Sequence, residues 1–381
     1  MITRDARGVP SVVRFARMLQ FVCGGSVTRT DPEEKILVRG NEAIAMGAID
    51  SGCLLFFGYP ITPQNEIPEY LSKHLPAMGG EFIQAESEIA SINLLLGASA
   101  TGARAMTSSS SPGISLMQEG ISYFAGSELP VVIVNISRSG PGLGGISPSQ
   151  GDYFQATRGG GHGDYRVIVL APSTVQEMYD LTCLAFDLSD KYRNPVVILG
   201  DALLGQMKEP LLRGGYHKME LPPKDWALTG AEGRQPRKIK SLYLQEGELT
   251  EHNWKLHQKY ERMKKEDVHF ESLRTEDAQL VMVAFGSMSR VSRTAVELAR
   301  REGMKVGLFR PITLFPYPEK VLFSLSQVVK SFLTVELNTG QMVEDVRLSV
   351  GRDAEVYFYG KPPGSLPSPE EVLEEIKKYM A

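Results

Sequence analysis

From Ile36 onward the chain alternates short apolar runs with longer stretches in which apolar positions recur at helical spacing. CLLFFGYP (53–60), RAMTSSS (104–110), LPVVIVNISR (129–138), YRVIVLAP (165–172) and PVVILGD (195–201) are continuous runs. Strands buried on both faces read this way, whereas a half-solvated strand alternates. EFIQAE (81–86) predicts a further short strand. Helical patterns fall between them, over 40–52, 65–74, 87–102, 111–128 and 175–189. The first is rich in small residues and stops at Gly52. The helix over 87–102 carries a small face, Ala90, Gly97 and Ala98, that allows close packing. Pro112 stands at the start of the next one, where helices accept proline. Strand and helix in alternation predict an α/β fold whose parallel sheet is covered on both faces.

The pattern changes near Gly205. Residues 206–276 are polar, with charge runs RQPRKIK and ERMKKED and one helix expected over 252–267. They read as a linker whose charges form a solvated face. A second α/β unit opens at Asp277. Strands are expected in DAQLVMVAFGS, MKVGLFRP, SFLTVELN and EVYFYGKP, and helices over 290–302, 318–325 and 342–350. A final helix has Ser368 as its N-cap. The expected division is 1–35 as a poorly ordered extension, 36–205 and 277–381 as folded domains, and 206–276 as the linker. The first segment carries Arg4, Arg7, Arg14, Arg17 and Arg29 among small and apolar residues. It reads as a stretch upstream of the domain, with Met18 and Met46 as later start candidates, rather than as a weak amphipathic targeting segment.

A length of 381 residues suits two domains. The net charge of −4 gives no general case for nucleic acid or an anionic membrane. No apolar run approaches the roughly 20 residues of a membrane span. The three cysteines, Cys23, Cys53 and Cys183, are scattered, with no CxxC. That usage predicts a reduced, cytoplasmic protein with no metal or iron–sulfur site of its own.

In open parallel sheets, ligands sit beyond the carboxyl ends of the strands. Four loops therefore share one rim: YPITP, the glutamates after EFIQ, SSSSPG and SRSGPGLGG. They offer Thr62 between two prolines, Glu86 and Glu88, a run of serines, and Arg138. Each also has a plainer reading. An acidic residue in a first helical turn complements the helix dipole. An arginine at a strand exit is often a surface residue. SSSSPG resembles an anion-binding helix start but lacks the lysine of a P-loop. GPGLGG is interrupted by Pro141, and no helix follows promptly, so it is not a dinucleotide loop. His162, between glycines, has no partner motif.

At these loops a resemblance emerges. YPITPQNEIPEY, QAESEIASINLLLGASATG, SSSSPGISLMQEGISYFAGSELPVVIVNISRSGPGLG, PSQGDYFQATRGGGHGDYRVIVLAPST and PVVILGD closely resemble the alpha subunit of 2-oxoacid:ferredoxin oxidoreductases, as do RPITLFP and VELNTGQMVEDVR further on. The form of YPITPQNE and GGGHGDY looks most like the 2-oxoisovalerate type, with the 2-oxoglutarate type as the main competitor. The resemblance implies a pyrimidine-type, thiamine-diphosphate-binding α/β domain followed by a transketolase-C-terminal-like α/β domain. It implies CoA-dependent oxidative decarboxylation of a 2-oxoacid, with electrons passed to ferredoxin. It also implies a hetero-oligomer. A beta subunit would hold the diphosphate and Mg²⁺, joined by gamma and ferredoxin-like delta subunits, with [4Fe-4S] clusters on partners. The chain has no GDG…NN motif, which agrees with that division.

By the same resemblance Glu88 is the catalytic glutamate, hydrogen-bonded to the aminopyrimidine, among apolar neighbours such as Ile89 and Ile92. A carboxyl there favours the imino form of the ring, which generates the reactive carbanion. Thr62 and Arg138 would face the 2-oxoacid, Arg138 pairing with its carboxylate. Ile61 and Ser110 would contact the cofactor. The runner-up role is a non-catalytic scaffold subunit.

Overall fold

The computed structural model describes residues 35–362 and 364–380. The extension expected over 1–35 lies outside the described residues but for Lys35. The strands, in chain order, are β1 (Ile36–Arg39), β2 (Leu55–Gly58), β3 (Glu81–Gln84), β4 (Ala105–Ser109), β5 (Val131–Ser137), β6 (Ile168–Leu170) and β7 (Pro195–Asp201). They continue as β8 (Lys208–Leu211), β9 (Phe270–Leu273), β10 (Leu280–Val283), β11 (Val306–Pro311), β12 (Thr313–Phe315), β13 (Ser331–Glu336) and β14 (Glu355–Gly360).

The first sheet runs β12-β6-β7-β5-β4-β2-β3. Its strands are parallel except β12. β5 and β7 are buried along their whole length, as their continuous apolar runs require. β3 is the edge strand and is mostly exposed. Right-handed crossovers put helices Glu88–Ala100 and Ser111–Gly126 on one face and Glu66–His74 and Val175–Tyr192 on the other. Helix Gly40–Asp50 packs on the latter group. Its small residues explain the close approach: a Cβ at Gly47 would stand 2.7 Å from the Tyr179 carbonyl oxygen.

The second sheet runs β14-β13-β10-β11-β9, parallel apart from β9. β1 and β8 form a separate antiparallel pair. Four short strands, β1, β8, β9 and β12, are thus antiparallel additions to a parallel plan. β12 belongs to the second unit by sequence yet completes the first sheet.

The polar segment is laid against the first unit. From Leu212 to Gly247 it has neither helix nor strand. Still, Ala227 is buried, Leu228 donates its N–H to the Ala100 carbonyl (2.9 Å), and Lys224 reaches the Gly102 carbonyl (2.9 Å). Its helix runs Glu248–Glu266 and buries Leu256, Tyr260 and Met263.

The two units meet through the PSQGDYFQ loop. Gln150 donates its N–H to the Leu337 carbonyl (3.0 Å) and accepts from the Leu337 N–H (3.0 Å). Its amide donates to the Phe285 carbonyl (2.8 Å), and its own carbonyl accepts from Asn338 (2.9 Å). Tyr153 donates to Asp345 (2.6 Å). The resembling segments PSQGDYFQATR and VELNTGQMVEDVR therefore lie against each other.

Candidate active site

β2, β4, β5 and β7 end on one rim, and the loops that follow them carry the polar groups. Glu88 opens helix Glu88–Ala100 behind the N-cap Ser87, whose hydroxyl accepts from the Ala90 N–H (3.1 Å). The glutamate is only 6% exposed. Its carboxylate has no hydrogen-bond partner among the described residues. It lies against the first turn of helix Ser111–Gly126. A Cβ at Gly113 would fall 2.5 Å from Glu88 Oε1 and 2.1 Å from Ser109 Oγ. Only glycine leaves room for the two side chains there. Ser109 Oγ is itself buried without a partner. Of the expected apolar neighbours, Ile92 is buried, but Ile89 is 53% exposed, because it lies on the outer face of the helix. Glu86 is solvent-facing and accepts from the Ser87 hydroxyl (2.9 Å). Geometry thus separates the two glutamates.

Ser110 behaves differently from its neighbour. It is fully buried, and its hydroxyl donates to the Ile136 carbonyl (2.8 Å). Its donor is thereby committed to the sheet, and only its acceptor side remains for a ligand on the rim. Ser108 bonds Gln64 (2.5 Å). Successive strand side chains point to opposite faces, and this puts Ser109 with Glu88. Ser111 donates to Asp152 (2.6 Å), which also receives Asn135 (2.8 Å). The GDY loop is thereby fixed to the start of the helix.

Thr62 is exposed and Ile61 half-buried in the turn after β2, where the Ile61 carbonyl accepts from the Gln64 N–H (3.2 Å). Arg138 is 8% exposed. Its Nη1 donates to the Thr62 carbonyl (2.8 Å) and its Nη2 to the Leu143 carbonyl (3.2 Å), while its Nε is buried without a partner. The arginine therefore joins two rim loops. A guanidinium has five N–H donors, so others stay available to an anion. An open cavity of about 620 Å³ adjoins Thr62, between Pro63, Glu66, Ile146, Leu203 and Gln206. Asp201, at the end of β7, caps the N–H groups of Leu203 and Leu204 (3.0 and 3.1 Å), and burial pushes its carboxyl above the usual range. His162 is exposed.

Ser109 and Gly113 were not singled out in the sequence, although both lie in SSSSPG. The pattern that finds them is the alternation of the strand, once the face holding Glu88 is known. A carboxyl beside an unpartnered hydroxyl suits a ligand that both donates and accepts hydrogen bonds. An aminopyrimidine is such a ligand. Among the described residues, no group of three or more His, Cys, Asp or Glu side chains is placed to hold a metal ion, and no helix is long and apolar enough to cross a membrane.

Comparison with known proteins bears on this site. Residues 46–272 match the family model described as pyruvate flavodoxin/ferredoxin oxidoreductase, thiamine diphosphate-binding, and residues 278–372 match pyruvate:ferredoxin oxidoreductase core domain II. The chain is 51% identical to ketoisovalerate oxidoreductase subunit VorB of Methanothermobacter thermautotrophicus, over 90% of this chain and 97% of the relative. It is 39% identical to 2-oxoglutarate synthase subunit KorA of Archaeoglobus fulgidus, over 90% of this chain and 99% of the relative. Its fold is similar to a solved 2-oxoglutarate:ferredoxin oxidoreductase from Magnetococcus marinus with 2-oxoglutarate, coenzyme A and succinyl-CoA bound. That likeness has a TM-score of 0.85 at 28% identity, covering 93% of this chain and 67% of the other. A split-gene transketolase shares the fold at a TM-score of 0.54 and 11% identity, over 90% of this chain and 96% of the other.

Proposed function

The chain belongs to the 2-oxoacid:ferredoxin oxidoreductases, as an alpha-type subunit, and on that premise we propose that its complex oxidatively decarboxylates a branched-chain 2-oxoacid such as 2-oxoisovalerate. The products are the acyl-CoA and CO₂, with the electrons passing to ferredoxin. The observation that carries the reading is the Glu88 carboxyl, buried beside Ser109 and Gly113 with no partner from the described residues. The greater identity to the ketoisovalerate relative, 51% against 39% for the 2-oxoglutarate one, favours the branched-chain acid.

When bound, thiamine diphosphate supplies the electron sink that 2-oxoacid decarboxylation needs. Glu88 holds a proton at a ring nitrogen of the aminopyrimidine, in the space next to Ser109 and Gly113. Thr62 binds an oxygen of the acid, and Arg138 adds positive charge beside it. That charge must hold the carboxylate without over-stabilising it, since binding that is equally strong in the ground state gains no rate. Arg138 also fixes the Thr62 loop through its carbonyl, so less orientation is lost at the transition state. Ser110 keeps the strand end in register through Ile136. A beta subunit is proposed to hold the diphosphate and Mg²⁺. Gamma and delta subunits, the latter with [4Fe-4S] clusters, complete the path to ferredoxin. The free, buried thiols of Cys53 and Cys183 suit the cytoplasm.

The solved 2-oxoglutarate enzyme supports 2-oxoglutarate as the second reading. The complex, purified through a tag on this chain, tests both. CoA-dependent viologen reduction should be fastest with 2-oxoisovalerate when compared with 2-oxoglutarate, pyruvate and indolepyruvate. Preference for 2-oxoglutarate would install the second reading. No turnover with any acid, from a complex that contains thiamine diphosphate and iron, would remove both.

A further inference from the structure

The Thr62 loop is held from three separate elements. The Pro63 carbonyl accepts from Asn41 Nδ2 (2.8 Å) and from Gln206 Nε2 (3.0 Å). The same two amide groups also donate to Glu66 Oε2, at 2.7 and 2.8 Å. Arg39 adds a longer contact to Glu66 Oε1 (3.5 Å). Asn41 comes from helix Gly40–Asp50, Glu66 opens helix Glu66–His74, and Gln206 ends the short helix Ala202–Gln206 after β7. One residue earlier, the Thr62 carbonyl is taken by Arg138 (2.8 Å). Both carbonyls next to the exposed threonine side chain are thus tied, with five side chains engaged in the effort.

Two features show that this arrangement serves the loop rather than the fold alone. Asn41 is fully buried, and turning its Nδ2 toward Pro63 leaves Oδ1 buried without a partner. Buried amides are usually satisfied at both ends. Gln206 is exposed, yet its long side chain is fixed by two hydrogen bonds. An exposed glutamine ordinarily keeps its rotamer freedom. Pro63, Glu66 and Gln206 also wall the cavity that Thr62 borders.

We infer that Asn41, Gln206 and Glu66 are positioning residues for Thr62, holding its hydroxyl where it meets the 2-oxoacid. The inference rests on the proposed role of Thr62 toward substrate. Small displacements of a positioned group cost rate rather than binding.

The test uses the whole complex with whichever 2-oxoacid it turns over fastest. Gln206→Met and Gln206→Leu roughly keep the volume but remove the donors. Each should lower kcat by about tenfold with KM for the acid unchanged. Melting temperature and subunit content should stay as in the wild type, because Gln206 is on the surface. Deuterium exchange of the 59–66 segment should quicken. In a Thr62→Val background the Gln206 changes should add nothing further, since residues that act through one group do not add. Unchanged kcat or unchanged exchange in the Gln206 variants would overturn the inference. So would an undiminished Gln206 effect in the Thr62→Val background. Wild-type turnover by Thr62→Val alone would instead overturn the reading of Thr62, and the inference would fall with it.

Discussion

Glu88 is only 6% exposed, and the described residues offer its carboxylate no hydrogen-bond donor. Gly113 makes room for the Glu88 side chain, and Ser109 brings a buried, unpaired hydroxyl beside it. Replacement by glutamine keeps the shape and removes the acid. Glu88→Gln should lower kcat about 10²–10⁴-fold, the usual worth of a positioned proton-transfer group, while the complex assembles and melts as before. Viologen reduction and a melting curve on the same sample check this, and full turnover would leave the chain a scaffold. An acid in the first turn of a helix on the carboxyl rim of a parallel sheet reads equally as a dipole partner, so the residues alone left Glu88 open and its assignment came from the resemblance. The choice between Ser109 and Ser110 was not legible. Both are serines in one run, and which one faces the helices depends on where the sheet places its faces. The partners of Arg138 were equally hidden, since both of its carbonyls belong to loops whose path is set by tertiary structure.

The helix Glu248–Glu266 shows how a polar element docks. Besides burying Leu256, Tyr260 and Met263, it carries Lys259, whose mostly covered side chain reaches Glu128 Oε1 (3.4 Å) and the Arg193 carbonyl (3.2 Å) through its Nζ. Burial pulls the Lys259 amine down from 10.5 to about 8, against the attraction of Glu128. Between those values the unfolded chain carries a proton that the folded chain lacks, so stability rises with pH across that window. Below about pH 8 both states are protonated and the slope vanishes. Lys259→Met should abolish this rise. Urea midpoints of the two proteins between pH 7 and 10 measure it, and equal slopes would show that Lys259 titrates normally. The sequence predicted this helix within a few residues but took its segment for a solvated linker, since helical charge runs say nothing about what lies beneath them. The strands β1, β8, β9 and β12 escaped notice for a related reason. Each has three or four residues, and β8 contains Pro210, so no period can establish itself. Only the pairing partner, distant in sequence, makes them strands.

At the scale of the molecule, the two sheets are tied by groups that belong to both. β12 adds to the first sheet from the second unit, and Arg310 on β11 crosses the same boundary. Its guanidinium is nearly inaccessible and donates to Glu177 through both Nη atoms (2.8 and 2.6 Å), to Ser173 Oγ (2.9 Å) and to Glu271 Oε2 (3.0 Å). This gives RPITLFP a physical role that the pattern of the segment did not disclose: its arginine fastens the units, and its apolar part supplies the extra strand. Removing one partner from a buried ion pair costs about 3–5 kcal/mol. Glu177 and Glu271 are a quarter or more exposed, so water recovers part of that. Arg310→Met should therefore destabilise the chain by about 2–3 kcal/mol and lower its melting temperature by roughly 3–4 °C. The melt should remain one transition, because the first sheet cannot keep β12, nor the Gln150 loop its hydrogen bonds, once the second unit has gone. Calorimetry of the variant decides the matter. Two separated transitions would mean that each unit is stable alone and that the shared strand and Arg310 only join finished domains.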